Sequence, residues 1–243
     1  MKKSILSLIV VVMSAGSLMA GPRTSSNAGL NYLSTAGEAG RWSVGTYYDV
    51  YNRNVTVKDT GFKTTLKDSR AMAYAGYDLN SWITAHLDAG SGKATLGGDD
   101  NGGREMQYGL GMNMRLLDHE VADTTLMEDR FTLNADWDLS YSKTENAAGD
   151  DIKWGVFNAS LTAGIVNDIA GYNTFYTPDA IEIFAGPVFS SVIGSDLESS
   201  GGGSDQVGLC AGVEIFYTTS VSLNIRYTHI NDNDICGGLN VRF

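Results

Sequence analysis

Few side chains in this sequence have the makings of acid–base chemistry. There are three histidines. His86 stands two residues from Asp88, and Asp136 and Asp138 repeat that spacing further along. Residues two apart share one face of a strand, so each pair points the same way. A His–Asp pair on such a face can activate water or a hydroxyl. The competing reading is a polar network inside a folded wall, where buried carboxylates need cationic partners. Arg70, Arg115, Arg226 and Arg242 can supply them, with Glu214 on the same inward parity. No motif singles out a catalytic set. The expectation is that none of these groups is catalytic, with His86, Asp88, Asp136 and Asp138 as the candidates if chemistry occurs. The network is assigned to Glu214, Arg226, Arg242 and Arg115.

Other motifs dissolve on inspection. Gly90-Ser91-Gly92-Lys93 lacks the earlier glycine of a phosphate loop, where Leu87 stands, and the following Ser or Thr, where Ala94 stands. His119-Glu120 lacks the second histidine of a zinc-protease helix. Asp99-Asp100-Asn101 and Asp232-Asn233-Asp234 offer hard oxygens of the kind calcium takes, without the spacing of a calcium loop. No metal and no cofactor is expected. Cys210 and Cys236 fall on inward parity, and simple hairpin registers put each beside Thr228 with one strand between them. Two strand spacings are about 9–10 Å, beyond the roughly 7 Å reach of a disulfide. Two free inward thiols follow.

These groups sit on a chain written in period two. In 130–143, Phe131, Leu133, Ala135, Trp137, Leu139 and Tyr141 alternate with Thr132, Asn134, Asp136, Asp138, Ser140 and Ser142. A helix would scatter these residues around all sides; a strand separates them. The same alternation predicts strands at 41–52, 68–79, 82–96, 105–116, 152–166, 180–193, 206–217, 221–230 and 235–243. Pro187 inside one of them predicts a bulge. Residues 53–67 read as a polar outer loop, 117–129 as a connection with room for a short helix, and 194–205 as a mobile Gly/Ser-rich loop. Inward glycines such as Gly45, Gly109 and Gly212 make room for Tyr47, Tyr74 and Phe216, or leave a narrow water path.

The leader differs from all of this. Lys2 and Lys3, the apolar run 5–13 and small residues to Ala20 predict a secretory signal peptide over 1–20. Residues 21–40 read as a flexible periplasmic segment. Removing the leader takes two of the 17 basic residues and leaves all 28 acidic ones, so the balance falls from −11 to (17 − 2) − 28 = −13. An acidic chain with dispersed cations argues against nucleic acid. No segment after Ala20 is long and apolar enough for a membrane helix. A membrane form must then be a closed barrel, where every backbone group is paired.

The last strand closes the case for a family. Ile235, Gly237, Leu239, Val241 and Phe243 form one face and Cys236, Gly238, Asn240 and Arg242 the other, and the chain ends on Phe243. This resembles the closing strand of small bacterial outer-membrane β-barrels of the OmpA-like/opacity-type group. The resemblance covers 41–243. It implies an all-β, up-and-down antiparallel transmembrane barrel of about ten strands, with eight as the alternative count. It also implies an assembly signal at Phe243, Val241 and Leu239. Expected partners are outer-membrane lipid and lipopolysaccharide, the barrel assembly machinery and periplasmic chaperones, for a monomer in a Gram-negative cell envelope. The expected role is structural, surface-interacting or adhesive. The alternatives are a narrow low-conductance pore, a rim hydrolase or acyltransferase, and a soluble periplasmic β-sandwich. Ten strands leave little open lumen.

Overall fold

The computed structural model describes residues 42–98, 103–121, 129–145, 151–169, 178–200, 206–218, 220–230 and 232–243. The expected signal peptide and the 21–40 segment lie outside these residues, as does much of the 117–129 connection. Eleven strands occur in chain order: β1 (Trp42–Val57), β2 (Phe62–Asn80), β3 (Ile83–Leu96), β4 (Glu105–Val121), β5 (Asp129–Glu145), β6 (Asp151–Asp168), β7 (Ala180–Ile193), β8 (Leu197–Ser199), β9 (Val207–Thr218), β10 (Val221–Ile230) and β11 (Asp232–Arg242). Ten of them pair antiparallel in sequence order, and β11 returns to β1 with Ser43 opposite Arg242 and Val50 opposite Ile235. The sheet is therefore closed, which rules out the open sandwich and the eight-stranded count. The short β8 is not a stave of this wall; it pairs only with the end of β1.

The alternation sets which side chains go inward. Along β1, Ser43, Tyr47, Asp49, Tyr51, Arg53 and Val55 are buried, while Trp42, Val44 and Thr46 are exposed. Exposed large apolar residues ring the outside, among them Leu87, Leu110, Ile165, Ile183, Leu209, Ile225 and Ile235. A soluble monomer rarely exposes so much apolar surface. A polar interior with an apolar exterior is the arrangement of a transmembrane barrel. Aromatics flank the band at both ends. Trp42, Tyr77, Trp82, Phe131, Tyr217 and Phe243 lie toward the end that holds the tight β2–β3 and β9–β10 turns; Tyr108 and Tyr141 lie toward the other. Trp42 and Tyr77 pack with ring centroids 4.9 Å apart. Ten residues separate Phe131 from Tyr141; at about 3.4 Å rise and about 40° tilt they span about 26 Å, the height of such a band.

Four sequence readings need correction. Residues 53–67 are mostly strand: β1 runs to Val57 and β2 starts at Phe62, around a turn where Gly61 takes φ 65°. Arg53, Val55, Leu66 and Asp68 keep the inward alternation there, but their outward neighbours are polar because they stand above the apolar band, so the stretch looks like a loop. Likewise β4 continues to Val121 through a register shift at Leu116, which leaves Leu116 and Leu117 both exposed and turns Asp118 inward. Pro187 makes no bulge. The β6–β7 ladder skips from Ser160–Val188 to Ala163–Ala185 in unchanged register, because proline lacks a donor yet its outward position needs no extra residue. The final strand begins at Asp232, not Ile235, so Cys236 faces Arg226 while Cys210 faces Thr228. Both thiols are free.

Candidate functional site

The barrel has one mouth that is built over. Strands β9, β10 and β11 stop short at that end. The last β7 residue paired with β9 is Phe189, and the last β1 residue paired with β11 is Val50. β7 nonetheless runs on to Ile193 and β1 to Val57, which leaves a notch in the wall. β8 fills it. Val55, Thr56 and Val57 pair with Ser199, Glu198 and Leu197. The Lys58 amide donates to the Asp196 carbonyl (3.0 Å) and the Ser200 amide to the Asn54 carbonyl (2.9 Å). On the far side the Val192 amide donates to Ser199 Oγ (2.8 Å), and Lys58 Nζ donates to the Gly194 carbonyl (2.7 Å). Asp196 Oδ2 accepts from the Lys153 amide (2.7 Å). Hydrogen bonds from Ser195 and from that amide hold the Asp196 carboxyl below its ordinary range.

The geometry drives Leu197 inward. It is fully buried among Tyr51, Val55, Leu66, Ala94, Trp154, Val156 and Val192. An apolar cluster inside a membrane barrel is unusual, because the interior of such barrels is polar. Here it packs against the inner wall beneath β8. The alternation-free sequence of 194–205 reads as a mobile loop because Gly194, Ser195 and Ser200 conceal the single Leu197 that anchors it.

Beneath the cluster lies a polar cavity of about 80 Å³, lined among others by Asp49, Arg53, Arg70, His86, Asp136, Asp138, Arg226 and Asp234. That is room for a few waters. Its cations are tied to carboxylates: Arg53 Nη1 to Asp234 Oδ2 (2.5 Å), Arg70 to Asp49 (2.8 Å) and Arg226 to Asp136 (3.3 Å). Nearer the other mouth Arg115 and Arg130 share Asp118 (both 2.6 Å), and Arg242 meets Asp78. Glu214 accepts from Ser222 (2.7 Å) and Asn240 (3.4 Å). Of the four residues assigned to one network, Arg226, Arg242 and Arg115 therefore each sit on a different aspartate. Inward glycines are filled rather than open: a Cβ on Gly45 would lie 2.5 Å from the Tyr74 ring, and one on Gly111 2.6 Å from the His86 ring.

The four candidates for acid–base chemistry converge only loosely. His86, Asp136 and Asp138 line the cavity. His86 Nε2 is 3.9 Å from Asp88 Oδ1, too long for a hydrogen bond, and its Nδ1 faces Asn113 Nδ2 at 3.3 Å. Asp88 instead accepts from Tyr47 OH (2.8 Å). Asp136 is taken by Ser160 (2.6 Å) and Arg226, and Asp138 by Asn158 (3.0 Å). His119 is exposed on β4; His229 is exposed on β10, where its Nδ1 lies 2.9 Å from Asn233 Oδ1. Among the described residues no group of three metal-ligating side chains gathers. Phe243 closes the ring by exchanging backbone hydrogen bonds with Trp42 (3.0 and 3.2 Å), and Val241 and Leu239 face Val44 and Thr46 across the closure.

One feature of the wall escaped sequence reading. Among the described residues the basic side chains are largely sorted by type, with the exposed Arg104 just before β4 as the exception. Arg53, Arg70, Arg115, Arg130, Arg226 and Arg242 point into the lumen and are ion-paired. All six lysines beyond the leader, Lys58, Lys63, Lys67, Lys93, Lys143 and Lys153, lie toward the built-over mouth. Five of them occupy outward register positions on β2, β3, β5 and β6, which alternate with the inward Asp68, Ala94, Thr144 and Trp154. The parity of each lysine carries this signal in the sequence itself.

No family model and no curated protein matches the chain. Among solved structures it is similar to the translocator domain of autotransporter NalP from Neisseria meningitidis, at 11% identity and TM-score 0.35 over 90% of this chain and 92% of that one. It is similar to Ail, the attachment invasion locus protein of Yersinia pestis, at 13% and 0.29 over 85% and 100%. Neisserial surface protein A is a third, at 10% and 0.34 over 86% and 100%. At these values the likenesses carry no functional assignment.

Proposed function

We propose that this protein is an outer-membrane barrel that works through its outer strand ends and lipid-facing wall, in a structural or surface-interacting role, and that its lumen neither conducts nor catalyses. The observation that carries this is the apolar seal: Leu197 on β8, buried among Tyr51, Val55, Trp154 and Val192, under a strand bonded to both sides of the notch. The ion pairs beneath it favour a filled lumen, since each guanidinium–carboxylate pair occupies the space an ion would cross. A monomer inserted by the barrel assembly machinery and surrounded by lipopolysaccharide is the setting this reading calls for, with adhesion as the surface activity it permits.

The test is single-channel recording in a planar bilayer, using protein whose band shifts on heating in SDS. The expected result is a silent membrane for the wild-type chain, with current steps appearing when residues 195–200 are replaced by a short glycine linker. Steady steps from the wild-type chain would overturn the sealed-lumen reading in favour of a narrow pore through the polar cavity.

A further inference from the structure

The built-over mouth carries an apolar surface that the described residues leave partly uncovered. Phe62 and Val57 face each other across the last rung of the β1–β2 ladder. Phe62 is on inward parity, since Leu66 and Asp68 on the same face of β2 are buried. It is nonetheless 64% exposed. Val57, Leu96 and Ile152 are half-buried and rest on the apolar cluster around Leu197. Leu96 faces Leu66 and Ile152 faces Thr144, both of them buried. The outward positions beside Phe62, namely Lys63, Thr65 and Lys67, are polar, so this surface stands in water above the lipid band. One exposed phenylalanine is ordinary. A phenylalanine continuous with half-buried aliphatic residues is a patch of the kind that marks a contact site.

The chain's own connections supply no apolar cover. The segments between the long strands at this end are 58–61, 97–104, 146–150, 194–206 and residue 231. Leu197 is their one large apolar residue, and it is already buried beneath the patch. Their sequence is acidic instead: seven acidic residues stand against Lys58 and Arg104, a balance of 2 − 7 = −5. Lys58 Nζ is tied to the Gly194 carbonyl. Asp59, in the β1–β2 turn, and Glu198, opposite Thr56, are exposed close to Phe62 and Val57. The lysines of β2, β3, β5 and β6 point outward from the wall, away from the mouth. An acidic crown above an apolar floor attracts cations through its field. The floor then favours an apolar side chain that leaves water against it. An uncharged apolar solute would use the floor alone, and a polyanion would be repelled by the crown.

We infer that this mouth docks a cationic amphipathic peptide, which sets an aromatic or aliphatic side chain against Phe62, Val57, Leu96 and Ile152 and its basic groups over the acidic connections. This deepens the surface-interacting reading above and rests on it. The test uses the full chain in phosphatidylcholine nanodiscs, with empty discs as the baseline. Fluorescence anisotropy follows three labelled octapeptides: alternating lysine and tryptophan, lysine and serine, and glutamate and tryptophan. The wild type should bind the lysine–tryptophan peptide about tenfold or more tighter than either control. Phe62→Ser should weaken that binding about tenfold, and Phe62→Trp should keep it. D59N/E198Q should weaken it about threefold and flatten its decline with salt. Phe62, Asp59 and Glu198 are exposed, so these variants keep the fold, which the heat-dependent gel shift checks. Four outcomes overturn the inference: no binding above empty discs, equal binding by Phe62→Ser, equal binding of the lysine–serine peptide, or equal binding of the glutamate–tryptophan peptide. Steady channel current from a wild type that binds the peptide would overturn the sealed lumen and leave the docking intact. A silent, heat-modifiable wild type that fails to bind refutes the docking alone.

Discussion

Replacing Leu197 by alanine should undock β8 while leaving the barrel standing. β8 is held by its ladder with β1, by the five hydrogen bonds from Lys58, Ser200, Val192 and Lys153 described above, and by the burial of Leu197, which contributes about 2 kcal/mol. Leu197→Ala removes about 2–3 kcal/mol, at the low end for buried leucine because the strap can relax. At 1.4 kcal/mol per tenfold, the opening equilibrium rises about 30- to 150-fold. Hydrogen exchange in detergent micelles reads this directly at residues 197–200 and Lys58, with β5 and β6 amides as the reference. The reasoning is refuted if exchange at 197–200 rises less than threefold, or if β5 and β6 accelerate equally, which would make Leu197 part of the global core.

Three further outcomes follow from other parts of the molecule. Asp78→Ala removes the carboxylate that pairs with the buried Arg242 guanidinium and should destabilise the barrel by about 3–5 kcal/mol, read as a lower urea midpoint for the folded gel band. Asp196 is held below its ordinary value of 3.8, so its share of β8 docking is present above that value and is lost as pH falls through the lowered one. Trp154 emission, measured with Trp42, Trp82 and Trp137 replaced by Phe, should show a red shift in acid below the ordinary carboxylate value, and Asp196→Asn should abolish that step. Gly45→Val would drive its side chain into the Tyr74 ring and the Leu239 carbonyl, and should leave the chain unable to give a heat-modifiable band in refolding trials.

Parity was the legible part of this protein. The ten staves, the inward Tyr47, Tyr74 and Phe216 and the outward Trp42, Tyr77 and Phe131 were readable from alternation alone, because a strand has only two faces. What escaped reading had its cause outside the local pattern. Strand ends beyond the bilayer lose their apolar outward residues, so Arg53–Val57 and Phe62–Lys67 looked like loop. β8 exists because β9–β11 are shorter than β7 and β1, a comparison between distant segments that no window over 194–205 contains. The pairing of Arg53 with Asp234 and of Arg242 with Asp78 depends on which strands become neighbours at closure. Parity predicted that arginines would meet carboxylates but not which ones.

The closure pairs also give the ring a way to recognise its own completion. β11 brings Asp234, Asn240 and Arg242 to partners on the opposite end of the chain: Arg53, Tyr74 and Asp78. A slip of one residue would turn all three outward into lipid. A slip of two would displace them by about 7 Å, past hydrogen-bonding reach, and abandon two guanidinium groups in the interior. Backbone pairing alone tolerates either mistake, since every register offers amides and carbonyls. The charges therefore act as a key cut across the seam: a misaligned ring is penalised several times over, and the correct one closes all the pairs in a single step. A barrel checked this way should tolerate substitutions along its lipid face far better than a swap of charge on β11.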